Sequence, residues 1–193
     1  DPMPPVTTAD ADGSDLRTTA VFQPAQRVLD TAGLWGRLAP FASPLQVMRI
    51  VDAAADPHVT RDFDAGDISD HPFGWNLPNW LLRREMVARL ADLPQVDFRT
   101  GTGFLRMVAR TETAIVTLSD DTQVEARLVI GADGRHSPVR MASEIGVSTK
   151  RYGQKAITFA VTHDAPHGNI STEVQRSGGP FTLVPLPDHD GRP

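Results

Sequence analysis

Leu128-Val129-Ile130-Gly131-Ala132-Asp133-Gly134-Arg135-His136-Ser137-Pro138-Val139-Arg140 is the stretch whose reading decides the fold. It reads as strand, tight turn and helix. The aliphatic run Leu128–Ile130 suits a strand buried on both faces. Gly131 and Gly134 permit a sharp turn and close approach of a ligand to the backbone. Ser137 is a good N-cap, Pro138 fits the first helical position, and Val139, Ala142 and Ile145 share one face. Gly146 is the expected stop. Asp133 is thus expected where a buried strand hands over to a helix N-terminus, a usual place for ribose and phosphate groups in α/β folds.

Around this stretch the chain has 193 residues, enough for one large domain or two small ones. With 40% hydrophobic and 22% charged residues it has a globular composition. The formal net charge is -5 and no basic run occurs, which argues against a nucleic-acid partner. The absence of Cys excludes disulfides, thiolate catalysis and thiolate metal sites, and fits a reducing, cytoplasmic compartment. No apolar run approaches the ~20 residues of a membrane span, and the opening Asp1-Pro2-Met3-Pro4-Pro5 has no signal-peptide character. His163 and His167 have helical ligand spacing, but Pro166 and Gly168 argue against a helix there, so no metal is expected. Asp133, His136 and Ser137 are crowded on one turn, whereas a hydrolytic triad needs partners converging from separate elements.

In chain order, a loop to residue 16 precedes a helix expected from Pro24 to Ala32 and a further turn at Leu34–Leu38. A strand is expected at 45–53, short strands near 62–64 and 73–75, and a helix capped by Asn79 and stopped by Pro94. Val96 and Phe98 alternate like a strand. Residues 104–110, 114–118 and 124–130 then read as an antiparallel meander, with a turn at Ser119–Thr122. Strands at 155–162, 172–176 and 181–186 follow, with Pro185 marking an edge or a strand end.

The motif Gly131-Ala132-Asp133-Gly134-x-x-Ser137-x-Val139-Arg140 resembles the Asp-Gly fingerprint of the flavoprotein aromatic hydroxylases, especially the ubiquinone-biosynthesis hydroxylases of polyprenylphenols and methoxyphenols. Arg17-Thr18-Thr19-Ala20, Asn76 to Arg84 and Gly179 to Pro187 support the resemblance, which spans residues 17–187. It implies an α/β fold, part of a two-domain hydroxylase in which nucleotide-binding pieces interleave with a mostly antiparallel substrate sheet. Residues 1–44 and 78–148 would belong to the FAD/NAD(P)H domain, and residues 45–77 and 149–193 to the substrate domain. The resemblance implies FAD and NAD(P)H as cofactors, with O2 and an aromatic, polyprenylated substrate. Asp133 and Gly134 would serve both nucleotides; Arg17 would lie near the flavin or its phosphates; Arg83 would touch FAD. Arg140 completes the motif, and His136 would meet the pyridine nucleotide.

The bland alternatives are a solvated Arg17, an Arg83 paired with Glu85 or Asp92, and an exposed turn His136. No catalytic residue is legible, as expected where a cofactor carries the hard chemistry. A polyprenyl substrate implies peripheral contact with the inner face of a membrane, and the family allows an oligomer or a biosynthetic complex. Rival readings are a hydroxylase of a small soluble aromatic and a non-catalytic scaffold. Before Arg17 the only glycine is Gly13, so no Gly-x-Gly-x-x-Gly turn precedes it, and the family's Gly-Asp motif is not reached by Pro193. The expectation is therefore an internal fragment, inactive and unable to hold FAD firmly alone, or else a short domain that lost its flavin site.

Overall fold

The computed structural model describes residues 2–176 and 178–188. In chain order the elements are β1 (Thr18–Phe22), α1 (Gln23–Thr31), α2 (Trp35–Leu38), β2 (Ser43–Leu45), β3 (Val47–Asp52), β4 (Val59–Asp64), β5 (Gly74–Pro78), α3 (Asn79–Ala91), β6 (Phe104–Ala109), β7 (Ala114–Leu118), β8 (Gln123–Ala126), α4 (Pro138–Ala142), β9 (Ile170–Gln175) and β10 (Phe181–Leu183). They fall into two compact units. One comprises Val6–Pro94 and the chain from Ile157 onward; the other comprises the first few residues and Gln95–Ala156.

The larger unit has two sheets. In the first, β5 lies between β1 and β2, antiparallel to both, so that Asn76 stands opposite Ala20 on one side and Ser43 on the other. β5 begins with glycine for a steric reason: a Cβ on Gly74 would come within 2.6 Å of the Val21 carbonyl oxygen. The core forms where this sheet meets the helices. Val21 and Leu77 from the strands pack with Leu34, Leu38 and Leu81, flanked by Leu29, Trp35, Trp80 and Leu82. Trp35 and Trp75 add an edge-on ring contact at 5.0 Å between centroids. Arg37 ties α2 to α3 through Asp92.

The second sheet has the order β10-β9-β3-β4. β3 pairs in parallel with β9, more than a hundred residues later in sequence, and antiparallel with β4. Arg49 and Asp62 are directly opposite and form a two-pronged ion pair, with Nε and Nη2 donating at 2.8 and 2.7 Å.

In the smaller unit β6, β7 and β8 form the expected antiparallel meander. Its tight turn is made by Asp120, whose carboxylate accepts from the Thr122 amide and hydroxyl, and by Asp121 at φ 63. The short α4 lies beside β6.

Several expectations are corrected. Residues 128–130 form no strand, and Leu128 and Ile130 are 74% and 75% exposed. Residues 155–162 likewise form no strand, with Ile157 and Phe159 exposed. A strand exists only where neighbours complete its hydrogen-bond ladder, and among the described residues no strand pairs with either segment. Val96 and Phe98 lie in irregular chain. α4 stops at Ala142, with Glu144 rather than Gly146 taking the left-handed conformation at φ 56. Asn79 is not a cap but the first residue of α3; Pro78 precedes it in an extended conformation. β4 is longer than expected, and β10 ends at Leu183, before Pro185. The buried Asn76 amide donates to the Pro185 carbonyl at 2.8 Å.

Candidate functional site

The Asp-Gly turn closes on itself. Asp133 accepts through one oxygen from the Ser137 hydroxyl and through the other from the Val139 amide at 3.1 Å. The Ser137 oxygen in turn accepts from the Arg140 amide at 3.0 Å, as an N-cap should. Ser137 N–H donates to the Gly134 carbonyl at 3.1 Å. Ser137 is therefore buried although its neighbours are exposed. Gly131 is packed: a Cβ there would sit 3.3 Å from Val139 Cγ1. Gly134 is at φ 92 and faces open space, so its glycine is required by conformation and leaves the backbone approachable.

These bonds hold the Asp133 carboxyl below its ordinary range, the Ser137 hydroxyl first and the Val139 amide after it. An ionised, exposed carboxylate with lone pairs to spare can accept ribose hydroxyls. Arg140 Nη1 donates to the Arg135 carbonyl at 3.0 Å. Its Nε is buried and has no partner among the described residues. His136 is exposed beside this turn. The structure thus brings Asp133, Gly134, His136 and Arg140 onto one short segment of the smaller unit. With only five residues, α4 contributes little of the dipole that the sequence suggested.

Arg17 and Arg83 belong to the larger unit. Arg17 precedes β1 and is clamped by Asp15: Nε donates at 2.8 Å and Nη2 at 2.7 Å. Its side chain is still 68% exposed, against 17% for Asp15. Arg83 makes one long bond, Nη1 to the Val6 carbonyl at 3.4 Å. Glu85 and Asp92 do not hold it. Glu85 accepts from Arg84, and Asp92 from Arg37. Arg84 is further fixed by lying over the Phe41 and Trp80 rings, at 5.2 and 5.5 Å.

Asp15 and Asn79 escaped sequence reasoning as site residues. The available signal was the i, i+2 spacing of Asp15 and Arg17, which places both side chains on one side of an extended segment. His167, weighed as a metal ligand, instead accepts through Nδ1 from the Asn169 amide at 3.0 Å. No group of three or more potential metal ligands occurs among the described residues.

Residues 9–188 match the FAD binding domain family. Ubiquinone hydroxylase UbiL of Rhodospirillum rubrum is 36% identical over 92% of this chain and 41% of its own length. The 3-demethoxyubiquinol 3-hydroxylase of Escherichia coli is 25% identical over 91% of this chain and 44% of its own. The chain thus spans less than half the length of these relatives. Klebsiella pneumoniae HpxO, solved with FAD and uric acid, shares the fold with a TM-score of 0.68 at 17% identity, over 95% of this chain and 46% of its own. A match over nearly the whole sequence places this α/β chain in the FAD binding domain family.

Proposed function

We propose that the protein works as an FAD- and NAD(P)H-dependent monooxygenase that hydroxylates an aromatic ring, a polyprenylated phenol on the ubiquinone pathway. The observation that carries this reading is the self-closed Asp-Gly turn, with its ionised carboxylate exposed, in a chain whose relatives include two ubiquinone-pathway hydroxylases. Each unit, taken by itself, carries groups that fit part of a dinucleotide. Asp133 offers acceptors for ribose hydroxyls, Gly134 offers approachable backbone, and Arg140 carries a buried donor without a partner among the described residues. Arg17 and Arg83 offer guanidinium donors to phosphate or flavin oxygens, and His136 is available to the pyridine nucleotide.

When bound, the flavin accepts reducing equivalents from NAD(P)H and supplies the oxygen-transfer chemistry with O2. This chain's part is to bind and orient. Residues 1–44 and 78–148 contribute to the nucleotide-binding domain, and residues 45–77 and 149–193 to the substrate domain. The sheet that joins β3 and β4 to β9 and β10 supports the substrate assignment. Among the described residues no helix is long and apolar enough to cross a membrane. A polyprenyl substrate would instead be met by peripheral contact on the cytoplasmic side, alone or within a complex.

The test is product analysis of the flavin-loaded full-length protein with NAD(P)H and O2, using a short-chain prenylphenol beside a simple phenol. The proposal expects a prenylphenol product one oxygen atom heavier, with NAD(P)H consumed. Turnover of the simple phenol alone favours a small-aromatic hydroxylase, and absence of flavin binding favours a scaffold.

A further inference from the structure

We propose that Asp15, held by Asn79 and Thr19, is a positioning residue that presents the outer edge of the Arg17 guanidinium to an oxygen acceptor on the flavin cofactor; the proposal rests on the cofactor reading of Arg17. Each oxygen of the Asp15 carboxylate accepts two hydrogen bonds. Oδ1 accepts from the Arg17 amide at 3.1 Å and from Arg17 Nε at 2.8 Å. Oδ2 accepts from Arg17 Nη2 at 2.7 Å and from Asn79 Nδ2 at 3.0 Å. Asn79 is fixed in turn, since its Oδ1 accepts from the Thr19 hydroxyl at 2.6 Å and its backbone N–H donates to the Arg17 carbonyl at 2.9 Å. Backbone and side chain of Arg17 are therefore both tied to the first residue of α3. A carboxylate so fully engaged has little left for a ligand, so Asp15 acts through Arg17.

The guanidinium differs in this respect. Two of its nitrogens are committed to Asp15, while the side chain remains 68% exposed. Among the described residues no acceptor takes Nη1 or the outer hydrogen of Nη2, and the clamp holds both in one plane. A free arginine side chain loses rotamer entropy when it is ordered; here much of that ordering precedes binding. The clamp also cancels the charge of Arg17 at long range. What remains is short-range, directional donation, which suits docking of a rigid acceptor better than steering of a distant anion. Arg83, with one long bond to a carbonyl, lacks such a clamp.

The test is FAD affinity of the full-length protein, by flavin fluorescence titration at low and high salt, with thermal melts alongside. Arg17→Ala reports on the underlying reading, and a loss of about tenfold is expected, the size of one charge-assisted bond. Asp15→Asn reports on positioning. It should weaken FAD by roughly three- to tenfold and steepen the salt dependence, because Arg17 becomes an uncompensated cation. Arg17→Lys should not rescue affinity, since an ammonium lacks the planar fork. Should Asp15→Asn fail to fold, Thr19→Val and Asn79→Ser loosen the same clamp from its far side, with smaller losses of affinity expected. Unchanged or tighter binding by Asp15→Asn or the far-side variants, or full rescue by Lys, while Arg17→Ala weakens binding, overturns the positioning role alone. Unchanged binding by Arg17→Ala removes Arg17 from the cofactor site, and the proposal with it.

Discussion

The helix-and-sheet layer of the larger unit and the segment around Asp133 in the smaller one were equally suggestive as sequence, and they fold in different ways. In the first, Leu77 and Leu38 are fully buried because β5 has strands on both sides and helices against it. In the second, Leu128 and Ile130 are at least as apolar yet three-quarters exposed. The turn that follows them is nevertheless well formed, because Asp133, Ser137, Val139 and Arg140 satisfy one another within eight residues. Structure built from near neighbours in sequence needs only its own residues. A strand needs partners, and hydrophobicity alone does not supply them.

The contrast predicts a graded series. Leu77→Ala should have the largest effect, costing about 2–5 kcal/mol because it opens a cavity beneath β5. Urea unfolding followed by tryptophan fluorescence reads it, since Trp35 and Trp80 flank that core; a loss under 1 kcal/mol, roughly a surface-sized effect, would mean that the layer is loosely packed. Ser137→Ala should cost about 1 kcal/mol, the value of a cap, and speed amide exchange at Val139 and Arg140. Unchanged exchange there would show that the turn does not depend on its own side chains. Leu128→Ser should be nearly neutral, within roughly 0.5 kcal/mol. A fall comparable to that of Leu77→Ala would mean that residues 128–130 are buried in solution.

What was legible in the sequence follows the same division. The helices α1 and α3, the meander β6–β7–β8 and the Ser137 cap were all visible, because periodicity, turn residues and capping are local signals. The parallel pairing of β3 with β9 was not, since no local feature of residues 47–52 refers to residues 170–175. Asn79 read as a cap by residue type alone, but its side chain is taken by Asp15 and Thr19, which only the folded chain brings near. The failed strands at 128–130 and 155–162 have the opposite cause: the local signal was strong and the neighbours were not there to meet it. In the candidate site the motif was readable residue by residue. The pairs Asp15–Arg17 and Arg84–Glu85 are between near neighbours, so their spacing was readable but the choice of partner was not; the part of the clamp made by Asn79 and Thr19 depends on reach across elements.

The central claim is that the Asp133 carboxylate serves a nucleotide as well as its own turn, and Asp133→Ala tests it most directly. Its exposed position limits its structural role to bracing the local turn around the Ser137 cap, so the melting temperature should fall only slightly. Loss of the ribose acceptor should weaken binding of FAD or NAD(P)H by about tenfold or more, since hydrogen bonds to a charged group contribute ~1.5–3 kcal/mol. Flavin and pyridine-nucleotide titrations beside a melting curve decide the matter: weakened nucleotide affinity with a nearly unchanged melting temperature is the predicted result, and unchanged affinity for both nucleotides with a large fall in melting temperature would contradict it.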